Sequence, residues 1–158
     1  MAEKKATETQ FLIQKLYVKD VSFESPNSPG TFTYDAWQPN VDLQLQSQNK
    51  RISDDAFEVV LSITVTVKQK EETAFLIEVQ QAGIFTITGI EGDQLAQLLG
   101  SHCLNIMFPY AREVISDLVT KGGFPSLLLS PINFDSMYAE HLRKQQEIAE
   151  NASTETAH

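Results

Sequence analysis

A chain of 158 residues, 42% hydrophobic and 21% charged, is long enough to bury one real core and too apolar to be globally disordered. Its formal charge of −9 argues against a nucleic-acid backbone or an anionic bilayer as main partner and leaves room for basic or unfolded polypeptides. The lone Cys103 permits no internal disulfide, Met1–Glu8 lacks the apolar stretch of a secretory signal, and no apolar run reaches membrane-spanning length, so the expectation is a cytoplasmic protein without membrane insertion.

Residues 11–24 alternate as a strand does. Phe11, Ile13, Tyr17, Val21 and Phe23 share one parity with Lys15 and Lys19; Leu12, Gln14, Leu16, Val18, Asp20, Ser22 and Glu24 take the other. Ser25-Pro26-Asn27-Ser28-Pro29-Gly30 reads as a loop. Val41, Leu43 and Leu45 predict a second strand, and Phe57 to Val67 a third. After a turn at 69–72 a fourth runs from Ala74 to about Gln81 and resumes at Ile84–Thr88, with Gly83 marking a bulge. Strands joined by short turns favour an antiparallel sheet with one wet face. A long sheet with open edges is hazardous in a monomer, which predicts a homo-oligomer. Parity places Phe75, Ile77 and Val79 on one side of the fourth strand, and Leu76, Glu78 and Gln80 on the other. The second set resembles the Asp20, Ser22, Glu24 side of the first strand. Together they form either a plain solvated face or a docking surface for a partner with basic and apolar groups.

The second half reads as helices. Leu95, Leu98, Leu99, His102 and Cys103 recur at helical spacing, and Ala111, Ile115, Leu118 and Val119 repeat it up to a stop at Lys121-Gly122-Gly123. Between them, Asn105-Ile106-Met107-Phe108-Pro109-Tyr110-Ala111-Arg112-Glu113 carries a proline expected to break one helix and start another. Phe124 to Pro131 is an apolar connector, and Asn133 or Asp135 caps a last helix bearing Met137, Tyr138, His141 and Leu142. Residues 1–8 read as a flexible start, 9–145 as one domain and 146–158 as a disordered polar tail.

Signals for chemistry are sparse. His102 sits on an apolar stripe, and its neighbour Cys103 points about 100° away on a helix, a poor geometry for a nucleophile and its base. Asp54 and Asp55 face opposite ways in a strand, and no Walker loop, dinucleotide fingerprint or zinc spacing occurs. No catalytic residue, metal or cofactor is assigned. Trp37, Tyr110 and Tyr138, as loop and joint aromatics, are either core or the lining of a groove for apolar side chains.

The segment 105–113 resembles the signature of the SecB family of export chaperones. The resemblance extends through Phe23-Glu24-Ser25-Pro26-Asn27, Trp37-Gln38-Pro39, Glu71-Glu72-Thr73-Ala74-Phe75-Leu76, Glu78-Val79-Gln80-Gln81, Gly83-Ile84-Phe85, Gly89-Ile90-Glu91-Gly92 and Pro131-Ile132-Asn133-Phe134-Asp135, over roughly residues 8–145. It implies an α+β fold, a four-stranded antiparallel sheet with helices packed on one face, assembling as a homotetramer that is a dimer of dimers. It also implies ATP-independent binding of unfolded precursor proteins and delivery to the translocation ATPase SecA, with no nucleic-acid partner. Carried over residue by residue, SecA binding falls on Asp20, Glu24, Leu76 and Glu78. The client groove falls on Trp37, Met107, Tyr110 and Tyr138, and the oligomer interface on Ile77, Val79, Gln81, Leu98 and His102. Two departures stand out: Leu104 where the family pattern has proline, and Ala36 as an extra residue before Trp37. The competing readings are a SecB-like chaperone dedicated to an antitoxin, and a small-ligand enzyme on the same scaffold with His102 as base.

Overall fold

Residues 8–156 are described by a computed structural model. Four long strands, β1 (Gln10–Glu24), β2 (Asn40–Arg51), β3 (Ala56–Gln69) and β4 (Glu72–Thr88), form one antiparallel sheet in the order β1-β4-β3-β2. Three helices follow: α1 (Gly92–Gln97), α2 (Cys103–Lys121) and α3 (Phe134–Glu155). The alternation of β3 and β4 dictates the layering. Phe57, Val59, Leu61, Ile63, Val65 and Val67, with Phe75, Ile77, Val79 and Phe85, form one apolar face, and Leu99, Cys103, Met107, Ala111, Ile115 and Val119 pack onto it. Burying each such side chain stabilises the fold by about 1.5–3 kcal/mol, which fixes the helices to that face alone.

The β3–β4 hairpin turns on two residues, Lys70 and Glu71, both at positive φ (49° and 71°). That is the mirror-image turn whose twist matches the strands, made here without glycine. β4 runs unbroken through Gly83, so the bulge expected there is absent. The glycine is needed for room instead: a Cβ at position 83 would lie 2.7 Å from the Phe85 ring and 3.0 Å from Leu16.

One bulge in β4 lies nearer the turn, at Ala74, and two are in β1, where the register to β4 shifts between Ile13 and Lys15 and again between Val18 and Asp20. Each shift reverses the side from which the next residue projects. Leu16, paired with Gly83, therefore packs toward the core, and Tyr17, paired with Ala82, projects to the outer face. This reverses the strict parity read from the sequence for those two residues. Past the second bulge the expected parity returns, with Phe23 inward against Phe75 at 5.9 Å between ring centroids.

Pro109 does not break the helix. It lies inside α2, and α1 runs into α2 through a π-helical turn at Leu98–His102. Met107, Phe108 and Ala111 are buried, while Pro109 and Tyr110 are exposed. The carbonyl that loses its partner to the proline ring, that of exposed Asn105, is thus on the solvent side, where the lost bond costs least. Leu104, in place of the expected proline, is 4% exposed and packs in the core. The helix stops as its sequence says: Gly123 at φ 86° follows Lys121-Gly122, and the Gly123 and Phe124 amides donate to Thr120 and Val119 carbonyls.

Asn133 caps α3, its side chain accepting from the Ser136 amide at 3.0 Å. The helix continues to Glu155, through most of the segment read as a disordered tail. Its run of good helix formers is supported by Arg143, which pairs with Glu140 at 2.7 Å and Glu147 at 2.5 Å. Residues 1–7 of the expected flexible start lie outside the described residues.

Candidate client groove and carboxylate face

On the helical side, a groove of about 930 Å³ opens between β2, the α1–α2 junction and the first turns of α3. Leu45, Phe57 and Leu61 from the sheet, Leu95, Leu99 and Leu104 from the helices, and Phe134, Met137 and Tyr138 from α3 give it apolar walls. Lys50, Arg51 and His141 stand among its polar residues. Two interactions dock α3 here. Ser101, 1% exposed, donates its hydroxyl to Asp135, and Gly100 faces the Tyr138 ring so closely that a Cβ would lie 2.8 Å from it. The π-turn that interrupts the α1–α2 helix is thus where Tyr138 is seated.

Trp37 belongs to a second, smaller cavity of about 140 Å³ lined by Thr31, Phe32, Tyr34, Ala36, Gly123, Phe124 and Pro125. Its ring is tilted against Phe124 at 5.6 Å, and Phe124 in turn meets Phe75 at 4.7 Å and Phe32 at 5.0 Å. The loop carrying Trp37 is held by a residue the sequence reading did not single out. Gln69, 1% exposed, donates to the Ala36 carbonyl at 2.7 Å and accepts from the Gln38 amide at 3.0 Å. The extra residue Ala36 is thereby anchored by its own backbone. A glutamine ending an otherwise apolar strand face was the one available signal.

The four aromatic and apolar groove residues therefore do not converge. Tyr138 lines the large groove, Trp37 the small one, and Tyr110 is 53% exposed on the outside of α2, lining neither. Met107 is 0% exposed inside the core, which corrects its assignment to a client surface. Helical spacing explains this, since 107 shares its face with 103, 104, 111 and 115.

The carboxylate set does come together. Across the β1–β4 ladder, Asp20 pairs with Gln80, Ser22 with Glu78 and Glu24 with Leu76. All six project from the face away from the helices. Deeper on the same face lies a polar cluster. Glu58 of β3, 9% exposed, accepts from the Tyr17 hydroxyl and from Lys19 at 2.9 Å, with Lys50 at 3.9 Å. Hydrogen bonds from Tyr17 and Lys19 hold the Glu58 carboxyl below the usual carboxylate range, and burial followed by the Glu58 bond pushes the Tyr17 phenol up to about 12.

Ile77, Val79 and Gln81 are 0–2% exposed beneath the chain's own helices. Leu98 is partly buried at the π-turn, and the exposed His102 ring meets Phe11 edge-on at 5.2 Å. Its neighbour Cys103 is buried in the core, where desolvation raises its thiol to about 12. Among the described residues no group of three or more His, Cys, Asp or Glu side chains is placed to hold a metal, and no helix is long and apolar enough to cross a membrane.

A family model described as preprotein translocase subunit SecB matches residues 4–145. The protein-export protein SecB of Methylococcus capsulatus is 54% identical over 151 residues, covering 96% of this chain and 97% of the relative. Those of Marinobacter nauticus and Nitrosococcus oceani are 54% and 56% identical, covering 94% and 88% of this chain and 90% and 85% of their own. Among solved structures, a SecB-like chaperone of Mycobacterium tuberculosis, in complex with a ChAD peptide from an antitoxin, superposes with a TM-score of 0.63 at 16% identity, over 77% of this chain and 90% of its own. That likeness concerns the fold. A sheet of this order with helices on one face, and identity above one half across nearly the whole chain, lead to one conclusion: the chain belongs to the SecB family of protein-export chaperones.

Proposed function

We propose that this export chaperone holds unfolded precursor proteins in the groove between β2 and α3 and passes them to SecA through the carboxylate face of β1 and β4. The observation that carries this reading is the separation of two surfaces by one sheet, an apolar groove on the helical side and Asp20, Glu24, Leu76 and Glu78 together on the other. Each large apolar side chain that a client buries contributes about 1.5–3 kcal/mol, and ordering a flexible client subtracts from that sum, so binding is firm, sequence-tolerant and reversible. Release needs no nucleotide here, because SecA competes for the client. The protein works in the cytoplasm, as no enzyme, with residues 9–145 as the chaperone domain.

Assembly as a dimer of dimers belongs to the same reading. It is supported by Ile13, Val18 and Val21, which face the helical side of edge strand β1 yet remain 43–47% exposed. The His102 ring meets Phe11 of the same strand. Ile77, Val79 and Gln81 act on assembly through the helices they support rather than by touching a partner.

Charge reversal at Asp20 and Glu78 to lysine tests the delivery step. Binding of the basic, zinc-bearing tail of SecA is expected to weaken at least about tenfold in titration calorimetry, while suppression of client aggregation stays unchanged. Equal affinity for the tail in the reversed protein refutes delivery by this face.

A further inference from the structure

We propose that Glu58 is a positioning residue for the carboxylate face: by holding Tyr17 and Lys19 across the sheet, it fixes the bulge that turns Asp20 and Glu24 outward. The proposal rests on the reading that this face docks SecA.

The geometry runs from the ladder. The extra residues of the two β1 bulges are Gln14 and Lys19, and both are tied on the outer face. The Gln14 amide donates to the Thr86 hydroxyl, and the Lys19 ammonium lies 2.9 Å from Glu58. Tyr17 can reach Glu58 because its partner on the intervening strand is Ala82, too small to block the phenol. From the opposite side, Gln81 donates to the Tyr17 carbonyl at 3.2 Å. Glu58 thus links β1 to β3 over β4, and Lys50 brings in β2 at 3.9 Å.

The second bulge decides which side chains face out. Were the pairing of Tyr17 to continue without it, Lys19, Val21 and Phe23 would project outward, and Asp20, Ser22 and Glu24 would turn toward the helices. Phe23 against Phe75 and Gly122 holds the far end of β1, and Glu58 holds the near end. The clasp also occupies the ammonium of Lys19, which would otherwise stand free next to Asp20.

Lys19→Met separates positioning from charge, because the two effects have opposite signs. Removing a cation from an acidic face strengthens attraction for a basic peptide, whereas loss of register weakens it. With a synthetic peptide of the basic SecA tail, Lys19→Met is expected to bind about fivefold or more weakly. Cross-strand amide contacts of Asp20 with Gln80 and Ser22 with Glu78 should fade in NMR spectra. The conservative Lys19→Arg, which keeps a cation within reach of Glu58, should preserve both. Unchanged or tighter binding by Lys19→Met overturns the proposal. If Lys19→Met fails to fold, Tyr17→Phe, which deletes only the hydroxyl, is read in the same way. An Asp20→Lys control tells the two readings apart. If that control leaves tail binding intact, the docking reading has failed, and the amide contacts alone judge the clasp: kept in Lys19→Met they overturn it, lost they support it.

Discussion

Cys103 and Tyr17 hold their protons far above the ordinary range, both chiefly through burial and Tyr17 also through its bond to Glu58, and both make the fold sensitive to alkali. The Cys103 thiol, ordinarily near 9.0, is raised to about 12 by burial in the core. The unfolded chain loses that proton above pH 9 and the folded chain does not. The stabilisation is therefore complete below pH 9 and drains away between 9 and 12, by about 1.4 kcal/mol per pH unit. Tyr17 adds to the loss from pH 10 to about 12. Urea midpoints should fall from pH 9 upward, and Cys103→Ala, less stable at neutral pH because of its cavity, should be flat from 9 to 10. A wild-type midpoint unchanged at pH 10 would contradict the burial argument. At this scale the sequence was readable wherever alternation was regular, as for Asp20, Glu24, Leu76 and Glu78. It misled at Tyr17 and Leu16, because a bulge leaves no mark on a strand that stays alternately polar and apolar. Met107 misled for another reason: proximity in sequence to Tyr110 says nothing about which side of a helix each occupies.

The elements show where local rules yield to packing. Proline propensity predicted two helices, yet α2 runs through Pro109, because the missing hydrogen bond falls on the solvent side while the flanking Phe108 and Ala111 are locked in the core. The irregularity sits one helical stretch earlier, in the π-turn at Leu98–His102, where Gly100 admits Tyr138. Nothing in the spacing of Leu95, Leu98 and Leu99 announced it, since such a turn adds one residue without disturbing the apolar stripe much. The Trp37 loop illustrates the reverse case, an irregular segment held from outside itself. Gln69→Leu removes both bonds to its backbone and leaves the Ala36 carbonyl and Gln38 amide unpaired. A stability loss of about 1–3 kcal/mol is expected, with red-shifted emission from Trp37, the one tryptophan of the chain. Emission at the wild-type wavelength would mean that the aromatic contacts alone seat the indole.

For the molecule as a whole, the sheet was foreseen in strand number and direction, and its long, open edges were the reason to expect self-association. The proposed association would cover an apolar strip on the edge strand β1. Ile13, Val18 and Val21 lie on the helical side of β1 and remain 43–47% exposed among the described residues. Val21→Glu is expected to reduce the native mass to a smaller assembly while preserving the circular-dichroism spectrum; an unaltered mass would place the interface elsewhere. A tetramer would carry 4 × −9 = −36 formal charges, which favours basic clients and keeps the assembly soluble. The two-residue turn at Lys70–Glu71 has a reach beyond its size. It leaves the hairpin no slack, so β3 and β4 are indexed against each other from their first pair, Gln69 with Glu72. Which of Leu76 and Ile77 meets the helices, and which meets the solvent, follows from that count together with one extra residue, Ala74, where the register shifts between Val67 and Lys68. One residue added to the turn would invite β4 to roll over, exchanging its carboxylate side for its core side. The chaperone's two opposed surfaces are thus kept apart by a short turn and a single bulged residue, Ala74, acting together.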